Sequence, residues 1–229
     1  MKKAFLLLIT TLLVSGITIA QVCSNLGQTP ATAFPVCGTA IFQQASVPAC
    51  VNNVIPTNCP NDGNVYQDLN PYWYKFTCFK SGTLGFLIEP NDKGDDYDWQ
   101  LFDVTGRNPS DVYSDKNIIV SYNWSGEHGN TGASPAGKSL FVCGTIPNAP
   151  YRPLFSSMPQ LLEGHQYLLL ISHFLGDQQS GYKLSFGGGT ASITDEVDPL
   201  LKDAAPNCDA TQIRVKLNKK MKCASLAAD

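Results

Sequence analysis

Asn70–Gly106 reads NPYWYKFTCFKSGTLGFLIEPNDKGDDYDWQLFDVTG. From Tyr72 to Phe79 the side chains alternate. Tyr72, Tyr74, Phe76 and Cys78 fall on one side, and Trp73, Lys75, Thr77 and Phe79 on the other. A period of two residues is the signature of a strand with two distinct faces. Two further strand-like runs follow, Thr83–Ile88 and Tyr97–Val104, separated by turns built on Gly and Asn. Six acidic residues, Glu89, Asp92, Asp95, Asp96, Asp98 and Asp103, fall between positions 89 and 103. The stretch therefore predicts a β-sandwich with one acidic edge.

Working outward, Asn117–Tyr122 and Ser139–Cys143 read as strands, and an edge strand is expected around Ala40–Gln44. Gln166–Phe174 (QYLLLISHF) is apolar on both faces, which suits a central strand covered on both sides. Gly181–Phe186 alternates again, with Tyr182, Leu184 and Phe186 inward. No segment sustains helical periodicity over a dozen residues or so, the usual minimum for a helix. The expected class is all-β, an antiparallel, jelly-roll-like sandwich of two packed sheets stapled by disulfides. Residues 21–69, rich in Cys and Pro, form a lead-in packed on a sandwich at 70–189. An acidic linker at 190–207 precedes a segment at 208–229 with one alternating strand, Gln212–Leu217. That last segment is too short to bury a core alone, so it either docks on the sandwich or is the truncated start of another β domain.

Met1–Ala20 has Lys2 and Lys3, an apolar run over Ala4–Val14 and small residues at its exit, the pattern of a secretory signal peptide. Its apolar part is shorter than the ~20 residues a membrane span requires, so no transmembrane span is expected in the mature chain. Val22 before Cys23 argues against a lipid anchor there. Without the two leader lysines the chain carries 14 basic against 19 acidic residues. That balance disfavours nucleic acid and anionic membranes as partners. The eight cysteines, Cys23, Cys37, Cys50, Cys59, Cys78, Cys143, Cys208 and Cys223, all follow the leader, and none lies in a C-x-x-C. In an exported chain they read as four disulfides. Eight cysteines allow about 105 connectivities. Sequence proximity suggests Cys23–Cys37, Cys50–Cys59 and Cys208–Cys223, with Cys78–Cys143 as a long-range staple.

Glu89, Asp92, Asp95, Asp96 and Asp98 offer the hard oxygen ligands calcium prefers, although the alternating ligand pattern and closing Glu of an EF-hand are missing. The competing reading is a solvated acidic turn. Trp124 and Tyr122 flank a polar loop and are candidates for stacking on a sugar, with Trp124 expected to be exposed; Trp73 and Trp99 lie in strands and are expected in the core. Gly132–Ser139 satisfies the P-loop expression G-x-x-x-x-G-K-[ST]. The sequence after it is strand-like and Pro135 removes an amide donor, so nucleotide binding is not expected. His128, His165 and His173 show no metal-ligand spacing, His173 being expected half-buried, and no nucleophile motif is present. No catalytic residue is assigned, and no cofactor is required beyond the calcium that the acidic cluster could hold.

LLEGHQYLLLISH (161–173) followed by GYKLSF (181–186), with DDYDWQLFD (95–103) before them, resembles the pre-peptidase C-terminal type of β-sandwich. CSNLGQTPATAFPVCGTAIFQQASVPAC (23–50), NPYWYKFTCF (70–79) and NWSGEHGNTGASPAGKSL (123–140) are similar to the N-terminal region of long secreted Bacteroidetes proteins of the gliding-motility-associated or PKD/Ig-repeat kind. The tail APNCDATQIRVKLNKKMKCASL (205–226) resembles the opening of bacterial surface Ig-like repeats. The resemblance implies a non-enzymatic, secreted or cell-surface module for adhesion, surface motility or polysaccharide contact. Ig-like repeats and a type IX secretion sorting domain would follow it, and its partners would be a polysaccharide or a cell-surface protein. The alternative it permits is an accessory domain of a secreted peptidase or glycosidase whose catalytic domain lies elsewhere.

Overall fold

The computed structural model describes residues 23–218, apart from 39, 48, 51–52, 60–62, 145–151, 175–179, 198–199 and 210. The expected signal peptide and Cys223 lie outside the described residues. In chain order the strands are β1 (Phe34–Pro35), β2 (Phe42–Ser46), β3 (Tyr72–Thr77), β4 (Gly82–Thr83), β5 (Phe86–Pro90), β6 (Tyr97–Asp103) and β7 (Ile119–Asn123). They continue with β8 (Thr131–Ala133), β9 (Phe141–Val142), β10 (Phe155–Ser156), β11 (Gln160–Leu161), β12 (Gln166–His173), β13 (Ser180–Phe186), β14 (Leu201–Pro206) and β15 (Ile213–Leu217). The helical elements among the described residues are three 3₁₀ turns, Pro30–Thr32, Pro109–Tyr113 and Lys116–Ile118. None is long and apolar enough to cross a membrane.

The strands form a sandwich. A six-stranded sheet is ordered β1-β3-β12-β6-β7-β9, and a five-stranded sheet β10-β8-β5-β13-β2. Their central pairings are antiparallel, whereas the short edge strands β1, β9 and β10 pair parallel with β3, β7 and β8. A parallel partner requires a crossover connection rather than a tight hairpin, and none of these three pairs is adjacent in the strand order of the chain. β12 lies between β3 and β6, the central place its two apolar faces require. Gly181 in β13 permits the close approach of β2, since a Cβ there would sit 1.9 Å from the Gln44 carbonyl oxygen.

Alternation sorts the residues of the six-stranded sheet into two cores. The inner face sends Tyr74, Phe76, Trp99, Leu101, Leu169 and Ile171 against Phe86, Ile88, Tyr182 and Leu184 of the other sheet. The outer face carries Trp73, Phe102, Tyr122, Trp124, Leu168 and Leu170, and is equally buried. It is covered by Ala33, Ile55 and Tyr66 of the lead-in and by Val112 and Ile118 of two 3₁₀ turns. The Pro109–Tyr113 turn is fixed by Asn108, whose side chain accepts from the Ser110 amide while the Asp111 carboxylate accepts from the Asn108 amide. Asn70, with a φ of 42°, turns the chain from this overlay into β3.

Two disulfides hold the overlay, Cys23–Cys50 and Cys59–Cys143. They replace the sequence-local pairs Cys23–Cys37 and Cys50–Cys59, and Cys143 takes Cys59 rather than Cys78. The physical reason is that the lead-in folds back across the outer face, bringing Cys59 beside β9, while Cys78 continues the inner face of β3 into the other core. The disulfides point to an oxidising compartment. Cys37 is free and exposed, and Cys78 is free and buried, with burial pushing its thiol pKa up. The native protein should therefore be alkylated rapidly at Cys37, and at Cys78 only after unfolding. Peptide mapping after timed iodoacetamide treatment checks this, and equal rates would contradict the placement.

The acidic linker runs past the sandwich rather than away from it at first: Ile193 is buried in the inner core, and Lys80 bridges to Ser192. Its second half is not a plain linker: Leu201–Pro206, within the stretch expected to be linker, is strand β14, which pairs with β15 as an antiparallel hairpin with Leu201, Ile213 and Val215 exposed.

Candidate binding pocket at one end of the larger sheet

Asp96 and Asp98 are two residues apart, one just before β6 and one within it, so both carboxylates emerge on the outer face beside the overlay. Cross-strand register sets Ser172 of β12 beside Asp98. β7 continues into Trp124 and Gly126 on the other side. The Phe174 amide donates to the Asp96 carbonyl at 3.0 Å and the His173 amide to the Leu69 carbonyl at 3.0 Å, which anchors the overlay to the end of β12. Between these elements lies a half-open cavity of about 420 Å³, lined by Asp96, Asp98, Tyr66, Trp124, Arg152 and Phe174 among others.

Its aromatic wall is built from three segments. Trp124 Nε1 donates to Gln100 Oε1 at 2.8 Å, and Gln100 Nε2 donates to the Pro56 carbonyl at 2.9 Å, so one amide ties sheet to overlay. The Tyr66 and Trp124 ring centroids are 5.2 Å apart. Tyr66 Oη accepts from the Gly144 amide at 2.9 Å, next to the Cys59–Cys143 bridge. The disulfide thus holds a wall of the cavity as well as the fold.

The polar floor is unusual. Oδ1 of Asp96 and Oδ1 of Asp98 are buried and have no hydrogen-bond partner. Burial, with His128, Glu127 and Arg152 as smaller influences, pushes the Asp96 pKa up to about 7. Burial and the neighbouring Asp96 charge push Asp98 well above the usual carboxylate range. Among the described residues no Lys, Arg or His lies within 4.0 Å of either carboxylate.

The five carboxylates expected to share a cation do not converge. Glu89, half-buried in β5, pairs with Lys93 at 3.3 Å, and Asp92 accepts from the Gly94 amide in an exposed turn. Asp95, of opposite parity to Asp96 and Asp98, turns away from the cavity, its Oδ2 3.6 Å from His173 Nε2. Among the described residues no three His, Cys, Asp or Glu side chains gather at one point. What the structure brings together is the pair Asp96 and Asp98.

The expected stacking platform is also corrected. Tyr122 is buried, its ring 4.9 Å from Phe141 and its hydroxyl 3.4 Å from Cys59 Sγ. Trp124 is only 5 % exposed, so it presents a cavity wall and not an open ring. Trp73 and Trp99 are buried as expected, on opposite faces of the sheet. His173 is fully buried and not half-buried, with its ring edge-on to Tyr97. His165 Nδ1 lies 2.6 Å from Asp103 Oδ2 at the far end of β6. The P-loop-like Gly132–Ser139 leaves β8 through a turn closed by the Gly137 amide on the Ser134 carbonyl and leads to β9, with no helix following. Tyr66, Arg152 and Phe174 were not singled out in the sequence. Only Phe174 carried a signal there, as a large apolar residue ending a central strand.

Asp68 lies behind the wall, in the overlay. It accepts from the Asn53 amide and, at 2.9 Å, from the Tyr113 hydroxyl. Burial outweighs these bonds and raises its pKa from 3.8 to about 6. The folded state therefore holds this proton more tightly than the unfolded chain. Its contribution to stability is complete below the unfolded pKa and is lost as pH rises through about 6. Asp68→Asn should flatten that part of the profile, so the melting temperature should fall less between pH 4.5 and 7.5 than in the wild type. Parallel melting curves check this, and an unchanged slope would exclude Asp68 as its source.

Searches of protein-family models, curated proteins and solved structures each return no match for this chain.

Proposed function

We propose that the chain is a secreted or surface-exposed binding module, non-enzymatic, whose pocket at the end of the larger sheet accepts a sugar unit of an extracellular polysaccharide. The observation that carries this is the half-open cavity of about 420 Å³, where the rings of Tyr66, Trp124 and Phe174 meet the polar side chains of Asn64, Asp98 and Arg152. Apolar walls with a few convergent polar groups are the usual make-up of a small-ligand site. Aromatic faces also suit the C–H surface of a pyranose. The disulfides support an extracellular setting. The reading is in keeping with the likeness to gliding-motility-associated surface proteins and with calcium as an accessory ion.

Affinity electrophoresis of residues 21–229 through gels containing acidic or neutral polysaccharides tests the reading. Phe174 is 55 % exposed, so Phe174→Ala should leave the melting temperature unchanged while abolishing retardation. Retardation that survives both Phe174→Ala and Arg152→Ala, or no retardation by any polysaccharide, would move the function away from this pocket.

A further inference from the structure

We propose that Asp96 and Asp98 together hold one calcium ion at the floor of the pocket. The inference is independent of the sugar reading, since an ion can occupy the floor with or without a polysaccharide above it.

The argument starts from burial. Asp96 is 3 % exposed and Asp98 4 % exposed, yet each has a buried Oδ1 without a hydrogen-bond partner. Buried carboxylate oxygens are ordinarily paired, because an unpaired one forfeits its hydration. Both belong to residues that line the same cavity. Two positions along a strand separate their Cα atoms by roughly 7 Å, on one face. From there two carboxylates can reach a common ion. Ser172 and Asn64 add neutral oxygens to the same lining.

The donor set selects the class of ion. Every candidate donor named is an oxygen, and the sulfurs nearest the wall, Cys59 and Cys143, are closed in a disulfide. Zinc and copper favour nitrogen and sulfur. Magnesium demands near-octahedral geometry and a tight shell, whereas calcium accepts six to eight oxygens in irregular arrangements, waters included. A floor with two carboxylates in a cavity of about 420 Å³ leaves room for such waters. Arg152, which lines the cavity, and His128 act on Asp96 only from a distance, and among the described residues neither comes within ion-pair distance of the two carboxylates, which leaves the space against them open to an ion.

The experiment uses chelator-treated residues 21–229 with calcium chloride as the probe, read by equilibrium dialysis and by thermal melting. The expected result is one ion bound per chain. The melting temperature should rise by roughly 5–10 °C at a calcium concentration about a hundredfold above the dissociation constant. Asp96→Asn and Asp98→Asn should each abolish the bound ion and the rise, whereas Asp92→Asn, in the exposed turn, should keep both. Asn is nearly isosteric with the Asp98 carboxyl, whose ionisation burial disfavours, so the metal-free Asp98→Asn variant should melt no lower than the metal-free wild type, which separates loss of binding from loss of fold. The proposal is overturned if the wild type binds no calcium, if binding survives both pocket variants, or if an organic ammonium such as choline binds where calcium does not.

Discussion

Replacing Cys59 and Cys143 together by alanine should lower the unfolding free energy by about 4–5 kcal/mol, the chain-entropy value for a closed loop of 84 residues. The same replacement at Cys23 and Cys50, 27 residues apart, should cost about 3–4 kcal/mol. Urea unfolding of both variants gives the comparison directly. The larger loss has a structural consequence the smaller one lacks. Gly144, next to Cys143, donates to Tyr66, and Tyr66 stands against Trp124. Loss of the bridge should therefore loosen the cavity wall before it unfolds the sandwich. Tryptophan emission should shift to the red in the Cys59/Cys143 variant under native conditions and stay unchanged in the Cys23/Cys50 variant. Equal stability losses and equal spectra would mean that the overlay is held by its packing alone.

The sandwich was legible because its strands obey simple periodicities. Tyr72–Thr77 and Ser180–Phe186 alternate, and β12 carries the unbroken apolar run Tyr167–Ile171 because both of its faces are covered. The predicted run Thr83–Ile88 proved to be two strands, β4 and β5, interrupted at Leu84–Gly85, where Gly85 lies so close to Gly187 that no Cβ would fit. Such an approach of two backbones is not written in a hydropathy pattern. Disulfide pairing was illegible for a related reason: which cysteines meet depends on how the lead-in crosses the sheet, not on their separation in sequence.

The site was half legible. The acidic run pointed to the right end of β6, yet its carboxylates alternate like any other strand residues. Parity sends Asp95 away from Asp96 and Asp98, Glu89 lies on the preceding strand β5 paired with Lys93, and Asp92 sits in an exposed turn. The remaining wall comes from Tyr66 and Arg152, residues distant in sequence that tertiary packing alone brings to the cavity.

Whether the lead-in is a core-forming layer or a loose cover is decided by the two buried tryptophans. Trp99 faces the inner core, with its ring centroid 4.7 Å from that of Phe86. Trp73 faces the overlay, 5.9 Å from Phe102 and 6.1 Å from Tyr113. Both are 0 % exposed. Truncation to alanine at such sites costs about 3–5 kcal/mol, combining lost transfer energy with the cavity left behind. Trp99→Ala should show that loss whatever the overlay does. Trp73→Ala should match it only if Ala33, Ile55, Tyr66 and Val112 are packed against the sheet as firmly as one sheet is against the other. A detachable cover would leave Trp73→Ala costing under about 1 kcal/mol, as at an exposed position. Comparable losses in urea unfolding would establish the overlay as a third layer of the fold, and with it the rigidity of the wall that closes the pocket.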